Sequence, residues 1–301
     1  MPNIIEIQQL QHSFNKENQT LRGIDLTVPQ GSIYGFLGAN GAGKSTTLKL
    51  ILGLLKKQKG EILIFNQPIE KNRIQILQCV GSFIESPSFY ENLTASENLK
   101  LLQKIYQCPT KNIDEVLQLV GLAHTQEKLV KNFSLGMKQR LGIAIAYLHL
   151  PELLILDEPT NGLDPNGIIE MRELLLKINK ERNTTILISS HILSEIEKLV
   201  SHLGIIHQGK MLFEGTLNTL LAEQQTSQFL TLHTSDDEKV VKLLIRHFQL
   251  FMKDGKINIP IKVQTEVSEI IEILVKNQIK ILNINTQNSD LENIFMNLVN
   301  Q

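Results

Sequence analysis

Two short, wholly apolar segments stand out in a chain that is otherwise mixed in polarity. Residues 33–37 read Ile-Tyr-Gly-Phe-Leu, and residues 153–156 read Leu-Leu-Ile-Leu. Uninterrupted apolar runs of this length are typical of strands buried on both faces, as in a parallel sheet covered by helices. Residues 3–10 and 24–28 instead alternate between apolar and polar, which predicts strands of an antiparallel layer. The chain therefore combines two kinds of β structure.

Helices and further strands are predicted between and after these segments. The predicted helices lie at 47–52, 166–181 and 194–199, and the predicted strands at 61–65, 80–84, 185–189, 203–207 and 210–214, with a turn at 208–209. From about residue 93 to 150 the pattern is helical throughout, with a capping box at 94–97, a second helix around 116–120 and a third after Ser134 that Pro151 stops. Alternating strands and helices predict an α/β core, and the long helical stretch predicts an insertion within it.

The last part of the chain has its own pattern. Strands are predicted at 228–233, 256–262 and 279–285, helices at 236–247 and 266–276, and a final helix from Ser289. This order predicts a small α+β module. We therefore expect two domains, residues 1–223, with the helical insertion at about 86–150, and residues 224–301.

Composition narrows the class of protein. The 301 residues are 42% hydrophobic and 20% charged, with a formal net charge of −1, so no global field favours nucleic acid as a partner. Cys79 and Cys108 are too few for a disulfide framework, and a reducing compartment is expected. The N-terminus lacks the pattern of a signal peptide, and the most apolar window, 141–156, is shorter than a bilayer span. Any membrane role is expected to come through a partner.

The candidate chemistry begins directly after the first apolar run. Residues 38–46 read Gly-Ala-Asn-Gly-Ala-Gly-Lys-Ser-Thr and match G-x-x-x-x-G-K-[ST] in full, between a predicted strand and a predicted helix. In that context backbone N–H groups surround a phosphate, Lys44 reaches the β- and γ-phosphates, and the Ser45 hydroxyl ligates Mg²⁺. The alternative, a glycine-rich turn that only caps a helix, does not explain the full match. The predicted nucleotide-binding residues of this loop are Gly38, Asn40, Gly41, Ala42, Gly43, Lys44, Ser45 and Thr46.

Two later segments fit the same chemistry. The second apolar run delivers Asp157 at its carboxyl end, where a carboxylate can hold Mg²⁺, and Glu158 follows in place to orient or deprotonate water. Ser134 and the backbone through Gly136 form a predicted helix N-terminus, which is a second anion site. Alone, each segment has a structural explanation: a strand that meets a solvated loop, or a capped helix. The order of the motifs favours the functional one.

That order resembles the ATP-binding cassette (ABC) ATPases of membrane transporters over residues 1 to about 220. The matching features, in sequence, are the phosphate loop, S-x-G-x-x-Q-R at 134–140, Asp-Glu-Pro-Thr at 157–160, Gly-Leu-Asp at 162–164 and an isolated histidine at 191. The resemblance implies a P-loop NTPase core, ATP and Mg²⁺ as ligands, and hydrolysis coupled to transport. It also implies separate transmembrane permease subunits, a second nucleotide-binding subunit (an identical copy or a paralogue), and a place in the cytoplasm on the inner face of the membrane.

The resemblance also assigns roles to single residues. Phe14 matches the aromatic residue that stacks on adenine, although an aromatic at a strand end is most often simply packing. Glu158 matches the catalytic glutamate, and His191 the histidine that contacts the γ-phosphate. Asp157 matches the magnesium-associated carboxylate. Ser134, Gly136 and Gln139 match the motif that binds nucleotide, and residues 161–164 match the loop that communicates across the dimer.

Glu85 departs from the common family pattern. Most members have a glutamine at the end of the strand before the helical insertion. A glutamate there resembles the subgroup that exports, or confers immunity to, bacitracin and lantibiotic-type peptides, and its carboxylate is predicted to act at Mg²⁺ and the attacking water. Drift without a change of substrate explains the residue equally well. Both explanations stay open from sequence.

The motifs and this resemblance together predict the ATPase subunit of an ABC exporter, with antimicrobial peptides or other amphipathic compounds as the candidate substrates that the resemblance implies. Two other classes were weighed. A soluble ABC-type ATPase acting on DNA or ribosomes is expected to carry long coiled coils or a second cassette, and neither pattern is present. A binding-only regulatory subunit is expected to lack the residues that match Glu158 or His191, and both are here.

Overall fold

The computed structural model describes residues 2–15, 19–84, 89–224, 228–245, 247–253, 256–261 and 264–287, together with residues 295 and 298. The chain divides into two compact units, one up to Thr216 and one from Leu217 onward. The final helix predicted from Ser289 begins outside the described residues. Among the described helices, none is long and apolar enough to cross a membrane.

The first unit contains ten of the described strands and seven of the described α-helices. The strands are β1 (Asn3–Ser13), β2 (Gln19–Pro29), β3 (Ile33–Leu37), β4 (Lys59–Ile64), β5 (Gln67–Pro68), β6 (Val80–Phe83), β7 (Leu153–Asp157), β8 (Thr185–Ser190), β9 (His202–His207) and β10 (Lys210–Thr216). The helices are α1 (Lys44–Ile51), α2 (Ile69–Gln78), α3 (Ala95–Tyr106), α4 (Lys111–Leu119), α5 (Leu135–Tyr147), α6 (Pro165–Arg182) and α7 (Leu193–Ile196).

A six-stranded sheet in the order β10-β9-β3-β8-β7-β6 forms the centre of this unit. All its pairings are parallel except the β9–β10 hairpin. Strands β3, β7 and β8 are buried at every position, which confirms the buried strands predicted for β3 and β7 from their continuous apolar runs. Because β3, β8 and β7 are neighbours, the loops that follow their carboxyl ends lie at one edge of the sheet, where open α/β sheets bind ligands.

A second, antiparallel sheet has the order β2-β1-β4-β5. Its inward residues, among them Ile5, Leu26 and Ile62, share one hydrophobic cluster with Phe36 of β3 and Leu48 of α1. The predicted antiparallel β layer is therefore confirmed, and a common core joins it to the parallel sheet.

Helices α3, α4 and α5 form the predicted insertion between β6 and β7. The predicted capping box is present at the start of α3. The Thr94 hydroxyl accepts a hydrogen bond from the Glu97 amide (3.2 Å), and the Glu97 carboxylate accepts one from the Thr94 amide (2.8 Å). This reciprocal pair satisfies two backbone donors that the first turn of a helix leaves without intrahelical partners.

The second unit contains α8 (Leu217–Gln224), β11 (Gln228–Thr234), α9 (Asp237–Leu244), β12 (Phe251–Lys253), β13 (Lys256–Ile261), α10 (Gln264–Lys276) and β14 (Ile281–Gln287). The four strands described in this unit form an antiparallel sheet in the order β12-β13-β11-β14. Buried residues of β11 and β13 pack with residues of α9 and α10 in a separate core, with Leu230, Ile257, Val240 and Leu274 at its centre. This unit is a small α+β module, as its pattern predicts.

Candidate functional site

The phosphate loop (residues 38–46) links β3 to α1. Gly43 caps α1 with a left-handed backbone (φ 116°), so the helix begins at Lys44, three residues before the predicted start at residue 47. A Cβ at Gly38 would lie 2.4 Å from the carbonyl oxygen of Ile206, which explains the glycine there. At Gly41 (φ 80°) a Cβ would meet nothing within 4 Å, so the loop faces open space on this side. The backbone is left accessible to an anion.

Lys44 is the buried cation of the site. Its side chain is only 6% exposed, and its Nζ lies 2.7 Å from the carbonyl oxygen of Gly38 and 3.2 Å from Oε1 of Glu158. The other loop residues differ in exposure: Asn40 and Gly41 are exposed, Ser45 and Thr46 are half-buried, and Ala42 is buried. The ammonium group thus contacts backbone carbonyls and one carboxylate, and such a group can form strong, charge-assisted hydrogen bonds to a phosphate oxygen.

Asp157 is the last residue of β7 and Glu158 follows it directly, and Ser189 of the neighbouring strand β8 contacts both. The Ser189 hydroxyl donates to Oδ1 of Asp157 (2.5 Å). The amide of Glu158 lies within hydrogen-bonding distance of both the hydroxyl (3.0 Å) and the carbonyl oxygen (3.2 Å) of Ser189. Glu158 itself has a left-handed backbone (φ 50°), which turns its side chain away from the strand direction. Ser189 was not among the residues predicted to form the site.

His191 lies against the Glu158 carboxylate. Its Nδ1 is 2.7 Å from Oε2 of Glu158, and its backbone amide is 3.3 Å from the same oxygen. Glu158 thus lies between the ammonium of Lys44 and the imidazole of His191, and its side chain is 19% exposed. The structure brings together three residues that are far apart in the sequence and that were all predicted to act on the terminal phosphate.

Phe14 directly follows β1, the strand that pairs with β2 beside the phosphate loop. Its ring is 67% exposed and meets His12 edge-on, with ring centroids 4.9 Å apart and planes at 86°. His12 is paired with Leu21 of β2, and the Leu21 side chain approaches within 2.6 Å of the position that a Cβ on Gly43 would occupy. An exposed aromatic face is therefore held on the strand pair that packs against the loop.

The turn between β9 and β10 joins this strand pair to the loop. The amide of Gly209 donates to the carbonyl of Ala42 (3.0 Å), and the carbonyl of Gly209 accepts from the amide of Arg22 (2.8 Å). Gly209 has φ 74°, and a Cβ there would lie 2.1 Å from the carbonyl oxygen of Thr20. The predicted turn at 208–209 is present, and it admits no side chain at its second position.

The Ser134 motif lies at the start of α5, apart from this group. Ser134 caps the helix by accepting from the Met137 amide (3.3 Å), as predicted, and is exposed. A Cβ at Gly136 would lie 3.7 Å from Leu163, so the motif adjoins residues 161–164. Oε1 of Gln139 is buried and has no hydrogen-bond partner among the described residues. The contacts described for Ser134 and Gly136 do not include the phosphate loop of the same chain.

Glu85, predicted to act as a metal ligand and in catalysis, lies outside the described residues. Asp157 and Ser45 offer a carboxylate and a hydroxyl, the hard oxygen donors that Mg²⁺ prefers. The part of the chain that the structure describes contains no group of three or more His, Cys, Asp or Glu residues able to hold a metal. Mg²⁺ at nucleotide sites usually keeps several waters and is bound through one or two protein groups and the phosphates, and Asp157 and Ser45 fit such a site.

Comparisons with known proteins agree with this geometry. The family described as ABC transporter matches residues 21–161. The bacitracin transport ATP-binding protein BcrA of Bacillus licheniformis is 48% identical over 99% of this chain and 98% of its own length. The lantibiotic transport ATP-binding protein SrtF of Streptococcus pyogenes is 44% identical over 70% of this chain and 90% of its own.

A solved structure shows the same fold. The structure of cbiO1 from Clostridium perfringens, described as part of the ABC transporter complex cbiONQ, matches with a TM-score of 0.68 and 26% identity over 82% of this chain and 96% of that one. With the phosphate loop, the Asp157–Glu158 pair and His191 at one sheet edge, these similarities lead to one conclusion: the chain belongs to the family of ABC transporter ATP-binding subunits, the ATPases that drive transport.

Proposed function

We propose that this subunit powers the export of bacitracin- or lantibiotic-like peptides through separate membrane permease subunits. The observation that carries the proposal is the identity of 48% with the bacitracin transport ATP-binding protein over nearly the whole of both chains. That similarity extends beyond the matched family region, which ends at residue 161, and includes the C-terminal unit. The proposed location is the cytoplasm, on the inner face of the membrane, because that is where a permease presents its docking surface to ATP.

The roles proposed for the site residues follow from the geometry. Adenine stacks on the exposed face of Phe14, and the loop from Gly38 to Thr46 surrounds the phosphates. Lys44 exchanges its contact with Glu158 for the γ-phosphate, which frees that carboxylate to orient and deprotonate water. Mg²⁺, when bound with ATP by Ser45 and Asp157, neutralises charge on the phosphates. His191 keeps the Glu158 carboxylate in place and contacts the γ-phosphate.

A second subunit, either another copy or a paralogue, is proposed to complete each site. Ser134 and Leu135 are exposed at the N-terminus of α5, where backbone N–H groups and the helix dipole favour an anion. Leu135 and Gly136 adjoin the 161–164 segment, and no described contact of Ser134 reaches the phosphate loop of its own chain, so the phosphate that this helix end binds is proposed to belong to the partner. Residues 1–223 are the proposed nucleotide-binding domain, and residues 224–301 the proposed C-terminal domain. Glu85 is proposed to approach Mg²⁺ and the attacking water.

The test is Glu158→Gln, which keeps the shape of the side chain and removes the base. Purified variant is expected to bind ATP as the wild type does, while phosphate release falls by about 100-fold or more, the lower end of general-base contributions. In cells that depend on this subunit and its permease for peptide resistance, the variant is expected to confer none. Glu173→Gln, on the exposed face of α6, is the matched control.

Two results would contradict the proposal at different points. Normal phosphate release by Glu158→Gln would remove Glu158 from the catalytic role. Unchanged peptide sensitivity when the wild-type subunit and its permease are removed, with ATPase activity intact in the purified protein, would show that the substrate is of another class.

A further inference from the structure

A buried serine lies beside the two acidic residues of the site. Ser189 is the penultimate residue of β8 and is completely buried (0% exposed). It is paired in register with Asp157 of β7 on one side and with Phe36 of β3 on the other. Residues paired in register on adjacent strands project to the same face of a sheet. The Ser189 side chain therefore lies beside that of Asp157, at the sheet edge where the site is formed.

The Ser189 hydroxyl is the middle member of a directed chain of hydrogen bonds. A serine hydroxyl has one proton to donate and two lone pairs that accept. It donates the proton to Oδ1 of Asp157 (2.5 Å) and accepts the amide proton of Glu158 (3.0 Å). An amide can only donate and an ionised carboxylate can only accept, so the chain runs from Glu158 through Ser189 to Asp157. Hydrogen bonds aligned in this way strengthen one another inside a protein.

One end of this chain orients the Asp157 carboxylate. Asp157 is buried, and the Ser189 hydroxyl is the hydrogen-bond partner that its side chain has among the described residues. With Oδ1 held by the serine, Oδ2 is left for the metal that Asp157 is proposed to bind. Groups that hydrogen-bond a metal ligand fix its orientation, and their loss typically costs about 10- to 100-fold in metal affinity or activity.

The other end of the chain holds the backbone of Glu158. Its amide meets both the hydroxyl and the carbonyl oxygen of Ser189, the latter at 3.2 Å. Its φ of 50° is unfavourable for a residue with a Cβ, and such a conformation persists only where the surroundings hold it. The Glu158 carboxylate has different partners, Nζ of Lys44 at 3.2 Å and Nδ1 of His191 at 2.7 Å. Ser189 therefore holds the backbone of Glu158, and Lys44 and His191 hold its side chain.

We propose that Ser189 is a positioning residue whose single hydroxyl aims the Asp157 carboxylate at Mg²⁺ and fixes the backbone from which Glu158 reaches the attacking water. The inference rests on the roles proposed for Asp157 and Glu158. Because one hydroxyl serves both residues, its loss affects metal binding and turnover together. Neither Lys44 nor His191 can replace it, since their contacts within the described residues are with the Glu158 side chain and not with Asp157.

A packing role is the alternative, since a fully buried position at a strand end can require a small side chain of any chemistry. Cysteine separates the two roles. It has nearly the shape of serine, but its S–H group is only a weak donor and its sulfur a weak acceptor. A positioning role predicts that Ser189→Cys behaves as Ser189→Ala does. A packing role predicts that it behaves as the wild type.

The matched control is Thr185→Val, at the other end of the same strand. Thr185 is also completely buried, and its hydroxyl accepts the amide of Gly31 (2.8 Å). This variant loses a buried hydroxyl that accepts a backbone amide, as Ser189→Ala does, but the loss lies away from the acidic pair. It reports what general destabilisation of β8 does to the site.

The experiment measures metal binding and turnover separately in the full chain. The affinity for Mn²⁺, a spectroscopic substitute for Mg²⁺, is measured by electron paramagnetic resonance with a non-hydrolysable ATP analogue bound and protein in excess. The kcat is measured at saturating ATP and Mg²⁺, and thermal melts confirm folding. Ser189→Ala and Ser189→Cys are each expected to weaken Mn²⁺ binding and to lower kcat by about tenfold or more. Thr185→Val is expected to melt at a lower temperature with both quantities unchanged.

Several results would overturn the inference. They are wild-type Mn²⁺ affinity or wild-type kcat in Ser189→Ala, a cysteine variant that behaves as the wild type, and equal losses in Thr185→Val. If Ser189→Ala does not fold, Ser189→Cys carries the test, and failure of both to fold beside a folded Thr185→Val would assign Ser189 a structural role instead. Asp157→Asn and Glu158→Gln are measured in parallel. Unchanged Mn²⁺ affinity in the first, or normal turnover in the second, would refute the role proposed for that acidic residue, whatever Ser189 does.

Discussion

At the scale of single residues, Glu158 carries an unusual combination of constraints. Its backbone is left-handed, its carboxylate lies between Lys44 and His191, and its amide is held by Ser189. A left-handed conformation is unfavourable for any residue with a Cβ, and such positions are often found at functional sites. Here the surrounding hydrogen bonds hold the strained backbone. That backbone conformation in turn directs the carboxylate between Lys44 and His191.

This constraint predicts that glycine is more stabilising than alanine at position 158, the reverse of the order found within helices. Glu158→Gly is expected to be more stable than Glu158→Ala by about 1 kcal/mol, because glycine adopts a left-handed backbone without steric cost. The matched pair is Glu173→Gly and Glu173→Ala, at an exposed position within α6, where alanine is expected to be the more stable by about 1 kcal/mol. Urea unfolding of the four variants gives both differences. Alanine more stable than glycine at both positions would show that the conformation of Glu158 is not strained.

Sequence could identify most of the residues at this site but not their contacts. Lys44, Asp157, Glu158 and His191 lie in motifs whose order is informative. The Lys44–Glu158 ion pair joins segments distant in sequence, and no local pattern predicts it. Ser189 was missed for a different reason: a serine at the end of an apolar strand has an ordinary structural explanation.

At the scale of elements, the ends of helices depend on specific side chains. Ser134 caps α5, Asp164 caps α6 and Thr94 caps α3. In each case the side chain accepts a hydrogen bond from a backbone amide in the first turn of the helix. Thr110 occupies the same position before α4 but makes no such hydrogen bond. The chain therefore offers a threonine that caps and a threonine that does not.

The pair leads to a direct prediction of capping energy. Thr94→Ala is expected to lower the free energy of unfolding by about 1 kcal/mol relative to Thr94→Ser, which keeps the hydroxyl. Thr110→Ala is expected to change it by less than about 0.5 kcal/mol, as exposed substitutions usually do. Chemical denaturation of the three variants measures the effect. Equal stability of the alanine and serine variants at position 94 would mean that the cap contributes nothing to α3.

The elements that sequence predicted well are those with a strong local pattern. Continuous apolar runs identified β3 and β7, and capping signals identified α3 and α5. The strands β5 and β12 were missed because they have two and three residues, too few for any periodicity. Helix α2 was missed because only Ile69 and Ile76 are buried and Asn72 interrupts its helical backbone. In such elements, packing decides the structure and local preference does not.

At the scale of the whole molecule, the role proposed for the Ser134 motif at the partner's phosphate predicts activity that depends on association. Specific ATPase activity is expected to rise with protein concentration until the dimer saturates. Lys44→Ala and Ser134→Arg variants, each inactive alone, are expected to regain activity when mixed, because a mixed dimer contains one site with both parts intact. Each variant mixed with itself is the control. A specific activity independent of concentration, in a protein shown to be monomeric, would contradict the shared site.

The turn at Gly209 fixes a distance within the proposed nucleotide site. It fastens the strand pair that carries Phe14 to the phosphate loop, and it leaves no room for adjustment, since even a Cβ would meet the carbonyl oxygen of Thr20 at 2.1 Å. With adenine on Phe14, as proposed, the distance from base to phosphates is set when the chain folds. Under the roles proposed above, the Glu158–His191 pair lies at the far end of this distance, where the γ-phosphate is expected. The site is then expected to distinguish ATP from ADP by the length of the nucleotide.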